Sequence, residues 1–271
     1  MNTQNPSPEN AETTAKLDQT SAPAQLDQAG QVNQAGQVNQ ADQAGQVNQT
    51  GQLPEADPLD DSPVITEVFG DSEKLIRMFH EKLVQEGVLR GMIGPKEVSR
   101  LWERHLLNSA ALAPFLRDFA QEKHIAHLRV ADVGSGAGFP GLVLAAMLPE
   151  HYFTLVEPME RRCEWLNENI DMMGLKNARV LRARAEQLHG EAEFDVVTCR
   201  AVARMSKLAG WVMPLVHRGG RFIALKGQAA QDEIDSAKAQ IRQYRGAFAH
   251  VDLAPVAQGV EPTHVVSITK R

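Results

Sequence analysis

The 271-residue chain reads as an α/β protein with a doubly wound, mostly parallel sheet and one antiparallel strand. A helical extension and a disordered tail precede that sheet. Three observations predict this. Strand and helix patterns alternate from residue 128 onward. Residues 130–141, VADVGSGAGFPG, compress a strand end, a glycine turn and a helix start into twelve positions. The last two strands, FAHVDLAP (248–255) and THVVSITK (263–270), have no helical pattern between them, so they pair as a hairpin.

Residues 1–62 form the predicted tail. The hexapeptide QAGQVN recurs at 28–33, 34–39 and 43–48 among Gln, Asn, Ala and Gly. One Val per repeat buries too little apolar surface to offset the entropy of ordering. Removing residues 1–60 is expected to leave the chemistry intact. Residues 63–127 read as a helical subdomain. Asp71 or Ser72 caps a helix carrying Leu75, Ile76, Phe79, Leu83 and Val84, which Gly91, Gly94 and Pro95 break. A second helix runs from about Lys96 through Val98, Leu101, Trp102, Leu106 and Leu107, and Pro114 interrupts it.

Residues 128–271 carry the sheet. HLRVADV supplies the first strand, and its helix starts near Pro140. Strands follow at 151–157, 178–183, 194–199 and 219–226. Helices lie between them at 158–174, about 205–217 and about 231–244. Five such units ending in a hairpin give the doubly wound sheet with one reversed strand.

The net charge of −6 conceals an asymmetry. Residues 1–60 hold one base and eight acids, so residues 61–271 carry 27 bases, 26 acids and all nine histidines. A nucleic-acid surface on the folded part must therefore be a local patch. The two cysteines, Cys163 and Cys199, lack metal spacing and read as buried core residues. No metal site is expected. No apolar run reaches membrane-spanning length, and the N-terminus does not read as a secretory signal.

The glycine turn calls for a nucleotide-like cofactor. Gly136, Gly138 and Gly141 fit the dinucleotide spacing G-x-G-x-x-G, with Glu157 about twenty residues on. Asp132 weighs against a dinucleotide. A carboxylate at the mouth of the first strand would face the pyrophosphate, whereas it suits the cationic S-adenosylmethionine (SAM). SAM is therefore the expected cofactor, an NAD-dependent oxidoreductase the rival, and a purely structural turn a third reading. Gly134 and Gly136 let the backbone approach the ligand. Glu157, closing the second strand, is placed to accept hydrogen bonds from ribose hydroxyls. Ala185 and Glu186 follow the third strand where the chain would pass the adenine; Glu186 reads equally well as a surface helix start.

FDVVTCRAVARM (194–205) delivers Arg200 to the carboxyl edge of the sheet, with Arg204 and Lys207 behind it. Many SAM enzymes acting on base nitrogens carry Asn/Asp-Pro-Pro-Tyr/Phe here; this chain has Cys-Arg-Ala-Val. Guanine N7 has an in-plane lone pair and no proton to lose, so it needs positioning more than a base. A bidentate Arg bond to guanine would cover N7. Arg200 is therefore placed on the cofactor side, with a surface salt bridge as its alternative. Lys96, Arg100, Arg104 and His105 share a helix with Trp102. That helix either touches RNA phosphate beside the pocket or presents a solvated face above a core Trp102. Arg104, His105 and Lys226 are positioning candidates, and no residue is singled out as catalytic.

The segments WERHLLNSA, DVGSGAGFPGL, CRAVA and RFIALKGQ, in this order and spacing, resemble the small-subunit ribosomal RNA methyltransferase G family. The likeness covers about residues 64–271. It implies a Rossmann-like SAM-dependent fold and a cytoplasmic enzyme that methylates N7 of guanine 527 in 16S rRNA. It also implies cofactor contacts at Gly134, Phe139, Ala185, Glu186 and Arg200. The expected partner is 16S rRNA or the small ribosomal subunit, with no membrane, and the chain is expected to be a monomer. A noncatalytic RNA-binding module of the same fold is the remaining alternative. RGMIGPKEVSRLW (90–102) departs from the Asn-Leu-Thr stretch of many members, and the Gln/Asn-rich tail has no counterpart there.

Overall fold

The computed structural model describes residues 56–200 and 203–271. The tail expected over 1–62 lies, up to residue 55, outside the described residues. Seven strands form one sheet in the order β3-β2-β1-β4-β5-β7-β6. They are β1 (Arg129–Val133), β2 (Tyr152–Val156), β3 (Ala178–Leu181), β4 (Phe194–Thr198), β5 (Val216–Lys226), β6 (Gly246–Ala254) and β7 (Thr263–Lys270). The first five pair in parallel, with Val130 between Phe153 and Val196. β7 runs antiparallel to both β5 and β6, which makes it the single reversed strand expected from the sequence.

Period-2 alternation sorts the strand residues onto two faces. Val130, Phe153, Leu155 and Val196 pack against α5 (Gly141–Met147), α6 (Glu160–Met173) and the helical extension. Ala131, Val133, Val156 and Val197 face a second core. It is completed by α7 (Met205–Val212), α8 (Ala230–Ser236) and α9 (Lys238–Gln243). α6 ends where expected, with Gly174 in the left-handed conformation at φ 67°.

The first helix starts earlier than expected. α1 (Pro63–Phe69) has Pro63 in its first turn and Ser62 as its cap, whose hydroxyl accepts from Val64 N at 3.4 Å. Neither Asp71 nor Ser72 caps α2 (Glu73–Lys82). The Ser72 hydroxyl instead donates to Phe69 O at 2.6 Å, because the chain is already helical when it arrives there. The segment 95–107 mixes 3₁₀ and π turns before α3 (Asn108–Ala110). Pro114 sits in the first turn of α4 (Ala113–Lys123), so it opens a helix where it was expected to interrupt one. Phe79 of α2 lies 5.4 Å from Phe139 beyond β1 and packs in the same core as Leu142.

Packing begins ahead of residue 63. Asp57 is buried and accepts from Trp102 N at 3.0 Å, and Asp60 accepts from Trp102 Nε1 at 2.8 Å. Trp102 is a core residue, stacked on His80 at 4.4 Å. The expectation that residues 1–60 are dispensable therefore needs a different cut. Deletion of 1–55 is expected to leave stability unchanged. Deletion of 1–60 orphans the two Trp102 donors and should cost about 2 kcal/mol, read as a lower urea midpoint.

Candidate cofactor and substrate site

Sheet order reverses between β1 and β4, and ligands of doubly wound sheets bind in the crevice at such a switch point. The glycine loop leaves β1 on one side of it and Arg200 leaves β4 on the other. Gly134, Gly136 and Gly138 hold φ values of 73°, 57° and 114°, which side chains resist. The loop spends most of its amides internally, with Ala137 N the exception. Gly134 N donates to Val156 O at 2.8 Å and Gly138 N to Ser135 O at 2.8 Å. Gly136 N donates to Glu157 Oε2 at 3.0 Å. Glu157 is buried at the end of β2, and its Oε1 accepts from Met159 N at 3.0 Å. Its carboxylate thus clasps the loop while lining the cavity.

Asp132 is not where electrostatics alone would put it. It shares the face of Val130, is fully buried, and accepts from Gly141 N through Oδ2 at 3.0 Å. It does not line the cavity, so it braces the start of α5 from behind the loop and does not guard the pocket. Burial pushes its carboxyl up to about 7, against the Gly141 N–H and the charge of Arg200.

Arg200, Phe139 and His105 form one wall. The guanidinium of Arg200 lies 4.6 Å from the Phe139 ring and donates to Arg104 O at 3.0 Å. Backbone pairing of Arg200 with Leu225 fixes it to β5. Burial lowers its pKa to about 10, although Asp132 and Glu97 oppose that. The buried His105 ring stacks on Phe139 at 4.9 Å. Burial, then the charge of Arg200, lowers His105 to about 4, so the ring is neutral at pH 7.

The cavity measures 1160 Å³ and runs from the glycine loop to the helical extension and the β6–β7 loop. The structure brings together on it Gly134, Gly136, Phe139, Glu157, Ala185, Glu186, Arg200, Arg104, His105 and Lys226. Ala185 and Glu186 open a short 3₁₀ turn after β3. Lys226 is committed elsewhere: its Nζ donates to Ala203 O at 2.6 Å and Glu233 Oε2 at 2.7 Å, which makes it a strut between β5 and α8. Arg100 faces the cavity paired with Glu103 at 2.7 Å; Lys96 is exposed away from it.

Sequence reasoning missed Glu97, Trp211 and the Asn108–Thr263 contact (2.7 Å), all on the cavity wall. Glu97 left a signal: it sits three residues after Gly94 with Pro95 between, and its Oε2 caps Gly94 N at 2.7 Å. The Asn108–Thr263 pair had none, since 155 residues separate its members. Both cysteines are buried, and burial pushes their thiols up, away from nucleophilic use. Among the described residues no helix is long and apolar enough to cross a membrane, and no group of three His, Cys, Asp or Glu could hold a metal.

A seven-stranded sheet of this order, with a glycine bend after β1 and a carboxylate closing β2, defines a Rossmann-like methyltransferase. Residues 72–254 match the model of the GidB family, rRNA small subunit methyltransferase G. Ribosomal RNA small subunit methyltransferase G of Bifidobacterium adolescentis is 47% identical over 241 residues, covering 79% of this chain and 96% of that protein. The Bifidobacterium longum protein of the same name is 49% identical over 221 residues, covering 79% and 99%. That of Thermobifida fusca is 42% identical over 210 residues, covering 77% and 84%. The chain belongs to the rRNA small subunit methyltransferase G family.

Proposed function

We propose that the protein transfers a methyl group from SAM to N7 of guanine 527 in 16S rRNA, acting as a cytoplasmic monomer on the rRNA or the small subunit. The observation that carries this reading is the switch-point cavity. Its loop amides, that of Ala137 apart, are already bonded inside the protein, and a carboxylate sits on the loop. Such a loop offers little to a pyrophosphate, which disfavours NAD. The same residues fit a phosphate-free, cationic adenosyl ligand. Glu157 would take the ribose, the Ala185–Glu186 turn the adenine, and the backbone at Gly134 and Gly136 with Phe139 the thioether region. Arg200 would hold the carboxylate end. When bound, SAM supplies a methyl group on positively charged sulfur.

The wall residues then position an acceptor. N7 needs no proton removed, and the site is built accordingly. Burial and the charge of Arg200 leave His105, at about 4, a weak base, and Lys226 is tied to Glu233, so neither is poised to take a proton. Arg104, Arg184 and Arg204 are exposed on the cavity lining, where RNA phosphate can meet them.

Small subunits from cells lacking the modification, incubated with the protein and SAM, should gain one methyl on guanine 527 by mass spectrometry of nuclease fragments. A methyl on another nucleotide, or calorimetric binding of NAD without SAM, would sink the reading. Arg200→Lys keeps the charge but loses the planar fork over Phe139. It should weaken SAM binding roughly tenfold by calorimetry, with a modest fall in melting temperature from the lost stacking on Phe139 and the bond to Arg104 O.

A further inference from the structure

The cofactor proposed above ends in an α-amino acid, with an ammonium beside a carboxylate. Arg200 supplies a cation for one of these, and Asp132, buried behind the loop, supplies no anion for the other. Six carboxylates line the cavity among the described residues. Glu157 is held by two backbone amides, Glu233 by Lys226 and Glu103 by Arg100. Glu186 follows β3, three strands from Arg200, and Glu261 is exposed on the β6–β7 loop. Glu97 remains. Its Oε1 lies 3.1 Å from His105 Nε2, and His105 shares the Phe139 ring with Arg200. Arg200 in turn bonds the carbonyl of Arg104, the residue before His105. Both His105 ring nitrogens are buried without a well-formed hydrogen bond, so the polar wall between the two charges is unfinished. The cap to Gly94 N fixes the direction of Glu97.

We infer that Glu97 takes the ammonium of the cofactor while Arg200 takes its carboxylate, the two opposed charges straddling His105 and matching a zwitterion. This inference rests on the SAM reading and extends it. It makes the helical extension part of the cofactor site and places the cation partner on that extension, beside the His105 ring that stacks on Phe139.

The test is calorimetry on the full chain with SAM and with 5′-methylthioadenosine, which keeps the adenosyl thioether and lacks the amino-acid end. Glu97→Gln preserves an oxygen for the Gly94 cap and removes the charge. It should weaken SAM binding roughly tenfold or more and leave 5′-methylthioadenosine within about twofold. Equal weakening of both ligands would show that Glu97 only props the wall, and no change in either would show that it does not touch the ligand; each overturns the inference. If wild-type protein binds 5′-methylthioadenosine and SAM not at all, the cofactor reading itself fails, an outcome distinct from the other two.

Discussion

Alanine at Gly138 is expected to destabilise the protein by about 2–4 kcal/mol and to abolish measurable SAM binding. Two costs add there. The backbone φ of 114° excludes a side chain, and an added methyl would overlap Leu142 and lie 3.1 Å from Phe79 Cζ. Neither neighbour can retreat, since both are buried in the core that joins α2 to α5. Gly136→Ala is the control. Its φ of 57° is left-handed, but the added methyl would meet only Gly134 O, at 3.7 Å. That variant should lose about 1 kcal/mol. Urea midpoints and calorimetry on both report the difference, and equal losses would refute the packing account.

The second large effect is a pH dependence. The Asp132 carboxyl has an ordinary value of 3.8 and rises to about 7 in the folded protein, chiefly through burial. A raised folded value means the native state holds the proton longer than the unfolded chain does. Its contribution is full below pH 4 and lost as pH climbs through 7. Asp132→Asn keeps an oxygen to accept from Gly141 N and removes the titration. The variant should match wild type near pH 4 and exceed it at pH 8 by on the order of 2–4 kcal/mol. Histidines common to both proteins cancel in the difference. Parallel stability curves from pH 4 to 8 would show that Asp132 is ionised without penalty.

Much of the architecture was legible because it follows period and punctuation. The β1 loop, the Gly174 stop and the reversed β7 rest on local patterns that tertiary contacts reinforce. The early start of α1 was missed because Ser62-Pro63 lies against a tail whose composition masks it. Asp132 illustrates a different limit. Its position in the motif was plain, but which face of β1 it takes depends on what packs there, and Gly141 is the neighbour that claims it. Lys226 likewise shows its ion pair only once α8 returns Glu233 to the end of β5. Long-range pairs of this kind leave no periodic trace in the chain.

The Trp102 anchor to Asp57 and Asp60 has a practical corollary for anyone recombining relatives of this protein. A chimera cut at residue 127 would keep the switch-point crevice yet discard the panel that seats Arg200 through the Arg104 carbonyl. A transplantable piece therefore includes Asp57 and Asp60, and helices and sheet must travel together.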